Sequence, residues 1–242
     1  MTSPASPSTR AGWRWIRSRT TSRPGRISRN RRDMPEPTGT AKLAGEILPG
    51  VYHFTMHDDR IDSQSDSYAI IEKGKAILID PLPMAKKDLK KVGPVAAICL
   101  TGSCHERSAW RYRRELKVLV YAPQGGVDFE ETPDRWFKAN DRLPGNLLAV
   151  HTPGPTEAHY SFFLERNGGV VFCADLLTNA GGEGLAFVAG EYQDEPARTR
   201  ASVRRLLELQ FEVLCPNHGD PVVVGAKKAI AQALKKDAAT SA

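Results

Sequence analysis

Cysteine and long apolar runs are scarce in this sequence of 242 residues, and acidic side chains are missing from its first 32 residues. The four cysteines fit no zinc-finger spacing and no disulfide framework. A chain without a disulfide framework is typical of a reducing compartment, so we expect a cytoplasmic protein. No apolar run reaches the roughly 20 residues that a membrane-spanning helix needs, which predicts that the chain does not insert into a membrane.

The positive net charge of the chain comes from its first 32 residues. They contain nine arginines and no Asp or Glu, and subtracting nine from the net charge of +6 leaves −3 for residues 33–242. Residues 1–33 are also rich in Ser, Thr and Pro, so they are predicted to form a disordered Arg-rich tail. Three interpretations stay open: the tail is untranslated and Met34 is the start, it is an arm that binds phosphates, or it is a targeting segment. The net acidic remainder argues against nucleic-acid binding by the folded part.

Five short apolar runs each end in polar residues that can carry chemistry. Strands of this kind deliver side chains to one edge of a sheet, as in α/β folds. Glycine-containing turns at residues 73–75 and 167–169 predict hairpins. Apolar spacing of three and four residues predicts helices over 108–116 and 196–210. The five runs are Ala76–Asp80, Val95–Thr101, Leu147–His151, Val171–Asp175 and Val213–His218.

In order and spacing, these motifs resemble those of the metallo-β-lactamase superfamily, over roughly Gly50 to Leu234. The resemblance implies a mixed α+β fold with a single domain over residues 46–236. It further implies a four-layer αββα sandwich whose functional site lies at the edge where the two sheets meet. A chain of this length can bury the core that such a domain needs.

The metal-binding loop of this superfamily is altered in the present chain. The usual loop reads Thr-His-x-His-x-Asp-His, and with a later His, an Asp and a last His it holds two metal ions. Gly102, Cys104, Glu106 and Arg107 stand at the four ligand positions of that loop. The resemblance therefore carries the fold over to this chain, but not the ligand set of the loop.

The donors that remain are too few for two zinc ions. Pro155 stands where the family has its later His, whereas Asp175 and His218 are retained. Zinc needs about four donors drawn from imidazole, carboxylate, thiolate and water, and the cationic Arg107 opposes a dication beside it. We therefore predict a pocket without a metal cofactor. The alternative is a single zinc ion at low occupancy, held by Asp175, His218 and Glu106.

Seven residues are candidates for the pocket. His105 is one residue out of the family's frame, but a loop allows it to swing in, so either His105 or the in-frame Cys104 is a candidate for a further metal donor. The pair Cys104 and His105 also suggests a nucleophile with its base. We expect no such pair, since adjacent side chains rarely point at each other. The candidates are Cys104, His105, Glu106, Arg107, His151, Asp175 and His218.

Arg107 is predicted to take over part of the electrostatic role of the lost metal. A buried Asp175 without metal or partner is costly. A guanidinium satisfies a carboxylate with two charge-assisted hydrogen bonds. We therefore expect Arg107 to pair with Asp175, and with Glu106 as a second partner.

Two classes of function fit the sequence, and whether the chain is an enzyme stays open between them. In the first, a noncatalytic or strongly altered site binds a small anionic metabolite or a partner. In the second, a single-metal or metal-assisted hydrolase acts on a small ester, thioester or lactone. The missing ligands favour the first class. No catalytic residue is assigned from the sequence.

Overall fold

The computed structural model describes residues 36–240, and every structural statement here concerns those residues. The predicted tail of residues 1–33 lies outside this range. Met34, the candidate start of the protein, also lies outside it. No helix within it is long and apolar enough to span a bilayer.

The first sheet has seven strands that follow each other in chain order. Its first four strands are antiparallel neighbours, and β4 to β7 run parallel. Two helices are inserted along this half of the chain: α1 (Lys86–Leu89) precedes β5, and α2 (Ala109–Leu116) precedes β6. The strands are β1 (Lys42–Leu48), β2 (Val51–Asp58), β3 (Ser63–Glu72), β4 (Lys75–Ile79), β5 (Val95–Cys99), β6 (Leu119–Pro123) and β7 (Arg135–Phe137).

The second sheet has five strands in the order β12-β11-β10-β9-β8. All its neighbours are antiparallel except β11 and β12, which run parallel. A parallel pair needs a long crossover, and α3 (Pro196–Leu206) supplies it here; α4 (Ala226–Thr240) follows the last strand. The strands are β8 (Arg142–Leu143), β9 (Leu147–His151), β10 (Tyr160–Leu164), β11 (Val170–Ala174) and β12 (Val213–Pro216).

Three apolar clusters show how the layers pack. One lies between the two sheets and includes Ile70, Phe162 and Phe172. The second packs α2 against the outer face of the first sheet through the buried Trp110. The third packs α3 and α4 against the outer face of the second sheet, and β10 and β11 are buried along their whole length. Strands covered on both faces read as continuous apolar runs, and the predicted αββα sandwich is confirmed.

The parallel strand pairs bring the predicted strand-end residues to one edge of the molecule. Asp80 and Thr101 follow the neighbouring strands β4 and β5, while Asp175 and His218 follow β11 and β12. Two of these strand ends have left-handed backbone: Asp80 has φ +47° and Ala174, which precedes Asp175, has φ +48°. Such backbone costs free energy at non-glycine residues and concentrates at functional sites. This edge therefore carries the candidate functional site.

Candidate functional site

Three potential metal donors converge at the sheet edge. Nε2 of His105 lies 3.1 Å from Oδ2 of Asp175 and 3.7 Å from Sγ of Cys104. Sγ of Cys104 lies 3.9 Å from the same Asp175 oxygen. His105 is buried, whereas Cys104 and Asp175 are partly exposed. The three donor atoms lie within 4.8 Å of one another, and we call these residues the donor cluster.

The local backbone explains why two adjacent side chains reach the same carboxylate. Ser103–His105 forms one 3₁₀ turn, with the His105 N–H donating to the Gly102 carbonyl at 3.2 Å. Successive side chains point to opposite faces of a strand, but lie only about 120° apart in a helix with three residues per turn. Our expectation that Cys104 and His105 point apart was therefore wrong.

Hydrogen bonds outside the cluster orient His105. Oγ1 of Thr101 lies 2.6 Å from Oδ2 of Asp80 and 2.8 Å from Nδ1 of His105. The Asp80 carboxylate also accepts from Asn217 Nδ2 at 2.7 Å. An ionised carboxylate only accepts, so the threonine hydroxyl donates to Asp80 and its oxygen accepts from Nδ1–H. This assignment turns Nε2 of His105 towards Cys104 and Asp175.

His218 has the same orientation on the other side of Asp175. Its Nδ1 donates to the Gln64 carbonyl at 2.8 Å, and its Nε2 lies 3.4 Å from Oδ1 of Asp175. The loop that carries His218 is fixed by Asp66, whose Oδ2 accepts the Gly219 N–H at 2.7 Å. Oδ1 of Asp175 is shielded from solvent and has no well-formed hydrogen bond to any residue that the structure describes. Its charged neighbour is His218, which lowers the pKa of the Asp175 carboxyl.

His159 positions the backbone of Asp175. The Asp175 N–H donates to Nε2 of His159 at 3.3 Å, and Nδ1 of His159 donates to the Thr152 carbonyl at 2.8 Å. Burial lowers the pKa of His159 to about 4, despite the opposing effect of the Asp175 carboxylate. His159 is therefore neutral at neutral pH, which keeps Nε2 available as an acceptor.

The positive charge of His105 and the negative charge of Asp175 balance each other in the donor cluster without a metal ion. Burial by itself lowers the pKa of His105, but Asp175, Cys104 and Asp80 together raise it well above its usual range. Burial by itself raises the pKa of Asp175, but His105 and His218 bring it well below its usual range. An imidazolium beside a carboxylate follows at neutral pH.

Arg107 does not pair with Asp175, so that prediction was wrong. Its guanidinium donates to the backbone carbonyls of Asp66 at 2.6 Å and Asp80 at 3.2 Å. It therefore ties β3 to the end of β4. His105, and not an arginine, supplies the positive charge that faces Asp175. Arg107 itself has a left-handed backbone, with φ +42°.

Glu106 and His151 also lie apart from the donor cluster. The Glu106 carboxylate accepts from the Trp110 indole and from the Glu130 N–H at 2.7 Å. The prediction that Glu106 is a metal ligand was wrong, because its side chain turns towards helix α2. His151 is partly exposed, and its Nε2 contacts the Glu157 carbonyl at 2.8 Å. It therefore lies outside the donor cluster.

The donor cluster fits one zinc ion. With bonds of about 2.3 Å to sulfur and 2.0–2.2 Å to nitrogen or oxygen, tetrahedral zinc places its donors roughly 3.3–3.6 Å apart. The three observed separations of 3.1, 3.7 and 3.9 Å are close to this. A zinc-binding histidine usually donates its other N–H to an outer partner, as His105 does to Thr101. No second group of this kind occurs within residues 36–240.

The chain is similar to known proteins in its sequence and in its fold. A family model described as "Metallo-beta-lactamase superfamily" matches residues 46–231. No curated protein matches the sequence significantly. Similar solved structures include the metallo-beta-lactamase FIM-1 from Pseudomonas aeruginosa in its mono-zinc form, with 17% identity and a TM-score of 0.64 over 82% of this chain and 96% of that one. A metallo-beta-lactamase from Erythrobacter litoralis has 15% sequence identity and a TM-score of 0.63, over 81% of this chain and 92% of that one.

A third similar structure is an archaeal superfamily protein from Sulfolobus tokodaii, with 15% identity and a TM-score of 0.62 over 77% of this chain and 85% of that one. At such identities, the similarity of these structures concerns the fold alone.

Proposed function

The chain belongs to the metallo-beta-lactamase superfamily, and within it we propose a hydrolase with one zinc ion, held by Cys104, His105 and Asp175. Its substrate would be a small ester, thioester or lactone. The observation that carries the proposal is the convergence of sulfur, nitrogen and oxygen donors, whose atoms lie within 4.8 Å of one another. Three protein donors leave one coordination position open, as in catalytic zinc sites.

Each residue of the site has a definite task under this proposal. When bound, zinc supplies Lewis-acid polarisation of a carbonyl and activation of water. Thr101 and Asp80 keep Nε2 of His105 directed at the cluster, and His159 keeps Asp175 in place. His218 can hold a proton at Nε2, 3.4 Å from Oδ1 of Asp175. It is thus placed to move a proton next to the reacting groups.

We propose that a cavity lined in part by Gln64 receives the substrate, although none of the residues that line it belongs to the donor cluster. Gln64, whose carbonyl orients His218, also lines this cavity of about 470 Å³. The volume lies in the range of small-molecule sites. Lys42 and Asp220 supply one positive and one negative charge to its wall, and we propose that an anionic group of the substrate would face Lys42. The remaining lining residues are Thr40, Thr55, Met56, His57 and Asp220.

A noncatalytic site is the second candidate, and a specific contact favours it. The imidazolium of His105 lies 3.1 Å from the Asp175 carboxylate, so each charge has a partner without any metal. Two paired and hydrogen-bonded charges can stay buried. In this case the cavity beside Gln64 would bind an anionic metabolite without converting it.

Metal analysis separates the two candidates. Protein purified without a metal-affinity tag is stripped with a chelator, given zinc, and measured for zinc per chain. One zinc per chain supports the proposal, none favours the noncatalytic site, and two contradict both. Cobalt adds a direct test of the ligand set, because a thiolate ligand gives a charge-transfer band in the near ultraviolet. Cys104→Ser should abolish that band, and His151→Asn should keep it.

Hydrolysis is then measured for esters, thioesters and lactones, each with and without an anionic group. The zinc-loaded protein should hydrolyse at least one class, and the chelated protein should not. Zinc binding without turnover of any class would contradict the hydrolase and leave the noncatalytic site.

A further inference from the structure

A second cavity, of about 580 Å³, lies at the edge of the molecule opposite the donor cluster. Its volume is within the range of small-molecule sites. The β3–β4 hairpin borders this cavity, and β4 runs from there to Ile79, which precedes Asp80 at the other edge. Five strand residues at about 3.3 Å each put roughly 15 Å between the two edges. The cavity is therefore separate from the candidate functional site, and we call it the distal cavity.

Both sheets contribute to the wall of the distal cavity. Lys73 belongs to the hairpin of the first sheet, whereas Leu164 ends β10 of the second. Arg166, also in the wall, ties the sheets together, because its guanidinium donates to the carbonyls of Ile71 at 2.6 Å and Gly50 at 3.2 Å. A wall held by such contacts exists before any ligand arrives, as in most small-molecule sites.

The charges of the wall leave one cation in excess. Arg166 lies 3.5 Å from the Glu72 carboxylate, so these two charges compensate each other. Lys73 is exposed and forms no ion pair with any residue of the described range 36–240. Arg142 and Glu165, which neighbour wall residues in sequence, pair with each other at 3.1 Å and add no net charge. The net charge of the wall is therefore +1, and it resides on Lys73.

Lys73 occupies a turn position that disfavours lysine. Lys73 and Gly74 form the two-residue loop of the hairpin, with φ of +50° and +75°. This is a type I′ turn, in which Asn, Asp or Gly is preferred at both positions. Left-handed backbone at other residues costs free energy and concentrates at functional sites. The strained turn thus places an ammonium group at the distal cavity.

We propose that the distal cavity binds a small organic monoanion, namely a carboxylate with a short apolar chain. The carboxylate pairs with Lys73 and accepts from the side-chain amide of Asn146, while the chain contacts Leu143 and Leu164. One excess positive charge suits one negative charge, whereas the second charge of a phosphate monoester would meet Glu72. No residue is shared with the donor cluster, so this binding needs no zinc.

The experiment maps binding of hexanoate by NMR on the full-length, ¹⁵N-labelled chain. A chelator first strips the protein, so that the carboxylate cannot bind zinc elsewhere. Amide shifts of Gly74 and Gly145 report on the distal cavity, and those of Gly102 and Gly219 report on the opposite edge. We expect saturable shifts at the first two alone, with a dissociation constant on the order of a few millimolar for a ligand of this size. 1-Hexanol, hexylammonium and hexyl phosphate serve as comparison probes, and none should bind as tightly as hexanoate.

A charge variant tests the role of Lys73. Lys73→Asn removes the ammonium group and suits the type I′ turn better, so it should fold at least as well as the unaltered chain. It should weaken hexanoate binding about fivefold, the effect of losing one exposed charge pair. Lys75 is the matched control, because it is an exposed lysine of the same hairpin that does not line the cavity. Lys75→Gln should change the affinity by less than about twofold, since solvent and salt screen the more distant charge.

Three results would overturn the distal site: hexanoate shifts confined to Gly102 and Gly219, equal affinity for 1-hexanol, or unchanged affinity in Lys73→Asn. Tighter binding of hexyl phosphate than of hexanoate would overturn the monoanion as its ligand. Zinc uptake enters none of these measurements. The proposed function can therefore fail while the distal site stands, and the reverse holds as well.

Discussion

Nε2 of His105 lies 3.1 Å from Oδ2 of Asp175, and this contact defines the candidate site. In the superfamily's loop, the position of His105 carries no ligand, and the residues on either side of it do. Here Cys104 retains a donor and Glu106 turns away towards Trp110. The donors that meet here therefore include a histidine that is one residue out of the frame of the family's loop.

Thr101→Val should weaken zinc binding. The substitution removes the oxygen that accepts Nδ1–H of His105 and leaves the side-chain volume nearly unchanged. Loss of such an outer partner typically costs 10–100-fold in metal affinity, and we expect a loss of about that size. The dissociation constant is measured by competition with a chromophoric chelator. Thr101→Ser, which keeps the hydroxyl, should bind zinc like the unaltered protein, and equal affinity for the valine variant would refute the orienting role.

Gly102→His should strengthen zinc binding. Gly102 has extended backbone, with φ −175°, and a Cβ placed on it would lie 3.6 Å from Sγ of Cys104, an ordinary contact. An imidazole there adds a fourth protein donor, and an affinity gain of roughly tenfold or more, about 1.4 kcal/mol or above, is expected. The same competition assay measures it. Gly102→Ala serves as the control and should leave affinity unchanged; a histidine variant that behaves like the alanine variant would contradict the assigned geometry.

Arg107→Ala should destabilise the fold without abolishing zinc binding. The guanidinium makes two charge-assisted hydrogen bonds to the carbonyls of Asp66 and Asp80. Losing them should lower the free energy of unfolding by about 1.5–3 kcal/mol, measured by urea denaturation. The exposed Arg114, which pairs with Glu131 at the surface, is the matched control, and Arg114→Ala should cost less than about 1 kcal/mol. Equal stabilities for the two variants would show that the Arg107 contacts add nothing.

Stability should fall as the pH is lowered from about 6.5 to 4, in part because of His159. Burial lowers the pKa of His159 from 6.5 to about 4 in the folded protein. Between pH 6.5 and pH 4, His159 is protonated in the unfolded chain but neutral in the folded protein, so lowering the pH favours unfolding. The slope from one such group is at most about 1.4 kcal/mol per pH unit. Above pH 6.5 this contribution is fully present.

The measurement is urea denaturation at a series of pH values, compared with His159→Gln. The glutamine keeps an acceptor for the Asp175 N–H but has no group that titrates in this range. Its unfolding free energy should depend less steeply on pH between 6.5 and 4. Parallel pH profiles for the two proteins would show that His159 does not contribute the slope.

Most of the architecture could be predicted from local patterns. Apolar runs that end in Asp80, Thr101 and Asp175 identified strands of both sheets, because strands covered on both faces must be apolar throughout. The short strands β7 and β8 were missed, since two or three residues in a segment rich in Pro and Gly show no periodicity. The helix predicted over 196–210 ends four residues earlier, at Leu206, because the next three N–H groups bond to carbonyls three residues back, as in a tighter 3₁₀ turn.

The sequence by itself determined the fold and the loss of the family's ligands, since both depend on residue types at fixed positions along the chain. Only the tertiary structure decided which side chains meet. One 3₁₀ turn points Cys104 and His105 at Asp175, while Arg107 reaches backbone carbonyls instead. These directions depend on the backbone angles of a short loop and on acceptors from β3 and β4. Such acceptors are distant in sequence, so no local pattern reveals them.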